Sequence, residues 1–310
     1  MNTPSNAVPE SLDSQGTAPA VVRATRPLYW SVRRELWENR YVYIGPLIIA
    51  GIFLVGFLVS MIRLRVTMHG ASGLDPAAQH EAIEMPYDIA AGIMMATAIL
   101  VSLFYCADAL HGERRDRSIL FWKSLPVSDL TTVIAKASIP LLILPLLISV
   151  ITGGMHLVML LWSSALLLGS GANIRALWAQ LPLFRMWLLM LYHLLTAHAL
   201  WPAPVYCWLL LVSGWARRAT FLWASLPIIA ISGVERLAFH TSHFAAMVGV
   251  RFIGSTSSIA STAPETWPTD PMTHVTPGMF LGDPGLWIGL VVAAAFLFAA
   301  IRLRRYQGPI

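Results

Sequence analysis

From Val133 to Leu168 the sequence is apolar almost throughout, with Gly153-Gly154 near its middle. A run of that length dictates its own solvent. A hydrocarbon core about 30 Å thick takes about 20 residues of helix to cross, and in lipid only a helix or a closed barrel pairs every backbone N–H and C=O. Five further runs have the same character: Tyr43 to Ile62, Ile89 to Ala109, Trp187 to Val212, Phe221 to Val234 and Leu286 to Ile301. Composition agrees, with 56% hydrophobic and only 12% charged residues, where soluble domains carry about a quarter charged. The expected fold is an all-α membrane protein with six transmembrane helices, near 43–62, 87–110, 133–168, 184–213, 219–235 and 285–303, in one domain over 28–310.

Two runs are ambiguous. If Gly153-Gly154 were a tight turn the chain would cross seven times, but Met155 to Leu168 is short for a span, so one long helix is expected there. The fourth run is interrupted at Trp201-Pro202-Ala203-Pro204, where proline removes a helix donor and forces a kink.

Basic residues set the orientation. Fifteen of the 21 Lys and Arg fall in the segments at one side of this topology: Arg23, Arg26, Arg33, Arg34, Arg40, Arg114, Arg115, Arg117, Lys123, Lys136, Arg217, Arg218, Arg302, Arg304 and Arg305. The positive-inside rule puts that side, and both termini, in the cytoplasm, with Arg63 and Arg65 running against it locally. The net charge of +5 is therefore an orientation signal and not a nucleic-acid footprint. Residues 1–27 are polar, rich in Ser, Pro and Asn, and lack a signal-peptide pattern; a disordered cytoplasmic tail is expected. Cys106 and Cys207 match no metal or redox spacing and read as small buried hydrophobes.

Two segments carry more information than connectors need. Leu28 to Tyr41, LYWSVRRELWENRY, alternates aromatic and charged residues at helical spacing. Trp30, Trp37 and Tyr41 share one broad face, with Arg33, Arg34 and Arg40 expected to reach phosphates, so it reads as an amphipathic helix on the inner leaflet or as an aromatic belt. Between the second and third spans, HGERRDRSILFWKSLPVSD sets Ile119, Leu120, Phe121, Trp122 and Leu125 among Arg114, Arg115, Arg117 and Lys123. Apolar groups in a loop of this kind need a partner.

Signatures of chemistry are missing. There is no GxxxxGK[ST] phosphate loop, HExxH or GxSxG, so catalysis and cofactor binding by this chain are not expected, and no metal set is proposed. His240 and His243 have the i, i+3 spacing of a shared helix face but no neighbouring carboxylate or cysteine to complete a ligand set. His193 and His198 read as hydrogen-bonded interior residues, and His156 as lining a cavity or sitting at the outer interface. Asp108, near the end of the second span, is expected to pair with Arg114 or Arg115. The segment Gly254 to Gly285 is dense in Gly, Ser, Thr and Pro and reads as an irregular outer loop.

The run ERRDRSILFWKSLPVSD, between the second and third of six spans, resembles the corresponding segment of type-two ATP-binding-cassette (ABC) transporter permeases, and RRELWENRYVYIGPL is similar to their entry helix and first span. The resemblance implies a coupling helix seated in a cleft of a separate cytoplasmic ATPase subunit. By position, Arg117, Ser118, Ile119, Leu120, Phe121, Trp122, Lys123, Ser124 and Leu125 would form that helix. Glu113, Arg114, Arg115 and Asp116 would be its charged lead-in, with Pro126 in the exit turn. It further implies a second permease copy, identical or paralogous, ATP and Mg on the partner ATPase, a bacterial inner-membrane location, and usually export, with the cargo open. An ATPase-coupled signalling or immunity protein that moves no cargo would carry the same features. A polytopic intramembrane enzyme would need convergent ionisable groups within the spans, which the sequence does not display.

Overall fold

The computed structural model describes residues 26–67, 76–124, 127–168, 178–179, 181–253 and 277–306. Among these the chain is helical, with no strand. Six helices are long and apolar enough to cross a membrane, which makes this a multi-pass membrane protein. The tail expected over 1–27 lies outside the described residues except for its last two, and so does most of the loop from Gly254 to Gly285.

Helix α1 (Pro27–Glu38) starts on a proline, whose missing N–H costs nothing in a first turn. It leads through Asn39 and Arg40 into α2 (Tyr41–Thr67), the first span. The second span, α3 (Pro76–Asp108), returns to the same end of the bundle, where two short helices follow, α4 (His111–Arg115) and α5 (Ser118–Ser124). Helix α6 (Asp129–Ser138) opens on Ser128, whose side chain accepts from the Thr131 N–H at 3.1 Å. It continues through a wide π turn, Ile139–Ile143, into α7 (Leu144–Leu168). Pro140 lies in that turn: it lacks the N–H an α-turn would use, and the wider turn absorbs the loss without ending the helix. Gly153-Gly154 therefore sits inside one continuous helix, and its small size serves packing. A Cβ at Gly153 would stand 3.0 Å from Cδ1 of Trp187, whose indole N–H donates to Ser149 O at 3.0 Å. Small residues that let helices approach closely are the usual means of association in lipid.

The fourth crossing is in two pieces. Helix α8 (Leu183–Leu195) widens into a π turn, Thr196–Leu200, and resumes beyond Trp201-Pro202 as α9 (Ala203–Trp215). The fifth span is α10 (Thr220–Phe239), followed by α11 (His243–Ile253), then the short α12 (Pro277–Gly282) and the last span, α13 (Pro284–Tyr306). Spans two and three form the centre, with half of their most apolar windows buried, whereas only 6% of the window in α10 is buried. Apolar side chains on α10 such as Ile229, Val234 and Leu237 face outward, as expected where the solvent is hydrocarbon.

His240 and His243 do not share a helix face. His240 ends α10 in the left-handed conformation, φ 53°, and His243 opens α11. Glu235 holds this corner, accepting from the backbone N–H groups of His243 (2.7 Å) and Phe244 (2.9 Å) and from the Thr241 hydroxyl (2.9 Å). The two backbone N–H groups are among the donors that a helix start leaves without partners. His156 is buried in the bundle, with Nε2 3.0 Å from Tyr87 O and its ring edge-on to that tyrosine.

Candidate functional site

One end of the bundle holds a closed network of charges. Glu35 on α1 is fully buried. Its Oε2 accepts from Lys136 Nζ of α6 at 2.9 Å and from the Tyr105 hydroxyl of α3 at 2.9 Å, while Oε1 accepts from Arg34 at 2.7 Å. Glu113 on α4 is the second hub. Its Oε1 lies 3.1 Å from Lys136 Nζ and 2.9 Å from Arg34 Nη2, and its Oε2 lies 3.0 Å from Arg304 Nη2 in the last turn of α13. Arg304 Nη1 reaches Asp129 Oδ1, in the first turn of α6, at 3.2 Å. That placement puts a cation at a helix C-terminus and an anion at a helix N-terminus, as the helix dipoles favour.

Three cations and three carboxylates thus join α1, α4, α6 and α13, with a hydroxyl from α3. Burying any one of these charges alone would cost several kcal/mol, of the order that pairing must repay. Burial works against the charge on Arg34, yet the carboxylates of Glu35, Glu113 and Glu38 hold its guanidinium above its ordinary pKa. The same guanidinium lies 3.9 Å from the ring centroid of Trp122, a cation–π contact that brings α5 into the cluster.

The loop between the second and third spans is fixed from a second direction. Arg114 is buried and donates to Gly214 O at 2.6 Å and Ala216 O at 3.3 Å, the open carbonyls at the end of α9. His111 Nδ1 lies 3.2 Å from Ala216 O, and Leu110 N–H donates to Ser213 Oγ at 3.3 Å. Between α4 and α5 the chain reverses at Arg117, held at φ 57° in the left-handed region that side chains rarely adopt. Ser118 Oγ donates to Glu113 O at 3.4 Å, closing the turn.

Several expected roles change with this geometry. Arg114, placed in the charged lead-in, points inward to backbone carbonyls of α9 and its end. Arg34, expected to reach phosphates, is turned into the ion cluster, while Arg33, one residue earlier, lies against Trp30 and Trp37 on the exposed side, 5.3 Å from each ring. Trp30, Trp37, Arg40 and Tyr41 are exposed. Asp108 keeps one of its two expected partners, Arg115, at 3.9 Å with both side chains about half exposed or more, while Arg115 Nε is 3.1 Å from Asp116. Within α5, Ile119 is buried beneath the helix, Trp122 is partly buried, and Leu120 and Phe121 are 58% and 59% exposed. Lys123 reaches Arg305 O at 3.5 Å and Ser124 Oγ donates to Phe121 O at 2.7 Å. Leu125 and Pro126 lie outside the described residues.

Glu35, Lys136 and Arg304 carry the cluster, and the sequence reading assigned them no pairing role. A signal was present: Lys136 interrupts VIAKASIP at the start of an apolar run, and an ionisable residue in such a run marks a site by default.

Comparison of the chain with protein-family models, with curated proteins and with solved structures gives no match.

Proposed function

We propose that this chain is the membrane-spanning permease subunit of an ABC transporter, an exporter of the bacterial inner membrane that takes its ATP hydrolysis from a separate subunit. The observation that carries the reading is the two-sidedness of α5: Leu120 and Phe121 stand exposed at the tip, while the root of the same loop is tied into a buried ion cluster with α1, α6 and α13. The anchor stabilises the fold in any case, and it also gives a docked helix a path for force, because a push at Phe121 would pass through Glu113 to several helices at once. By the positive-inside rule the charged end faces the cytoplasm, where a soluble ATPase would meet it. Two such chains and two ATPases would form the working unit, and ATP-driven closure would rock the bundles between inward-open and outward-open states.

The test is isolation of the tagged chain from native membranes in mild detergent. A protein with a GxxxxGK[ST] loop should accompany it, and Leu120→Ala/Phe121→Ala should lower its recovery at least about tenfold, since central apolar anchors dominate such interfaces. Recovery undiminished by the double variant would remove the assignment of α5 as the coupling element.

A further inference from the structure

The fourth crossing is broken at Trp201-Pro202, and side chains fill the gaps in its hydrogen bonding. Pro202 has no N–H to give to His198 O, and the Tyr206 hydroxyl donates to that carbonyl instead, at 2.9 Å. The Val205 N–H, which an unbroken helix would aim at Trp201 O, turns to Pro202 O at 2.8 Å. That leaves Trp201 O to a donor from elsewhere: Arg251 of α11, whose Nη1 reaches it at 3.3 Å. The other terminal nitrogen of Arg251 donates to Gly285 O, in the first turn of α13, at 2.7 Å. The guanidinium also covers the Trp201 ring, 4.5 Å from its centroid, and the Trp201 indole N–H returns a bond to Val250 O at 2.8 Å.

The seat for this group is shaped to fit. A Cβ on Gly289 would come within 2.6 Å of Arg251 Nη1, so only glycine leaves room for the guanidinium against α13. The 13 residues of α9 span about 20 Å between the break and the charged end of the bundle, so this contact stands at the opposite end of the α9–α13 pair, in the first turn of α13. Meanwhile α9 and α13 run side by side from this point to Gly214 and Arg304, in contact at Ala203, Cys207 and Ala293.

We propose that Arg251 is a latch on the hinge of the fourth crossing, holding the far ends of α9 and α13 together by occupying Trp201 O and Gly285 O at once. While it is seated, the break cannot bend and the two helices move as one body. Separation of their far ends requires the guanidinium to leave both carbonyls, and α11 to move with it. The latch works whatever drives the motion, so it stands apart from the ATPase reading.

The experiment is hydrogen exchange by mass spectrometry on the full chain in lipid nanodiscs, without any partner. Arg251→Gln removes the latch, and Gly289→Val displaces it while leaving Arg251 in place. Both should speed exchange about tenfold or more in peptides covering the break from Thr196 to Tyr206, as expected when a charged hydrogen bond guarding a local opening is lost. Peptides around Glu35 and Lys136 should be unchanged, which separates an opened latch from general unfolding. In the double variant the effect on the break should match that of Arg251→Gln alone. Wild-type protection of the break in Arg251→Gln would overturn the proposal, as would effects of the two changes that simply add.

Discussion

Lys136 Nζ and Glu35 Oε2 lie 2.9 Å apart although the residues are 101 positions apart in sequence, both side chains almost wholly buried. A pair of that kind costs little while intact and much when halved, because the orphaned charge stays where water cannot reach it. Lys136→Met should therefore destabilise the chain by about 3–5 kcal/mol, read as loss of folded protein on heating in detergent. Adding Glu35→Gln to Lys136→Met should restore part of the loss, since a coupled pair departs from additivity. Equal and additive effects would mean that the two charges do not share a site.

Neighbouring aromatics in α5 should behave differently. Trp122→Ala removes the face on which Arg34 rests and should cost about 1–3 kcal/mol of stability. Phe121→Ala, at an exposed position, should change stability by less than about 0.5 kcal/mol while, on the proposed function, lowering capture of an ATPase subunit. Thermal unfolding and recovery of the partner, measured on the same preparations, separate the two.

Packing of spans three and four turns on Gly153. With a Cβ already 3.0 Å from the Trp187 ring, Gly153→Leu should overpack the contact and cost about 1–3 kcal/mol. Gly154, beside it, has open space around its Cβ position, and Gly154→Ala should be neutral or slightly stabilising. A reversed order in thermal unfolding would place the helix contact elsewhere.

Both native cysteines are buried, so membrane-impermeant thiol reagents should find little in the wild-type chain. Arg218→Cys should be modified only from the cytoplasmic side, and Ser242→Cys, at the opposite end of α10, only from outside. Labelling of both from the same side would contradict the expected crossing of the fifth span.

The six crossings were legible because lipid demands long apolar helices and little else supplies them. The long third span was legible too, since the remnant after Gly153-Gly154 was too short to cross alone. Pairing was not. Arg33 and Arg34 look equivalent in sequence, yet one residue of helix turns a side chain by about 100°, which sends one to Trp30 and Trp37 and the other to Glu35. Local spacing separates them only in part, Trp30 and Trp37 standing at i−3 and i+4 from Arg33 and Glu38 at i+4 from Arg34, while the inward contacts of Arg34 to Glu113 and Trp122 come from some eighty residues away. Arg251 was hidden for a similar reason. Its partners are backbone carbonyls, and a sequence does not advertise an acceptor that every residue possesses.

The ion cluster also bears on how the protein is made. Glu113 and Asp129 are synthesised long before Arg304, which both of them engage, so during translation these carboxylates wait without that partner while the later helices enter the bilayer. The finished charge balance is thus available only to a chain that has received α13. A product cut short before Arg304 would keep its earlier helices in the membrane but leave two acids short of a counter-ion, an unfinished state that quality-control proteases could distinguish from the complete one.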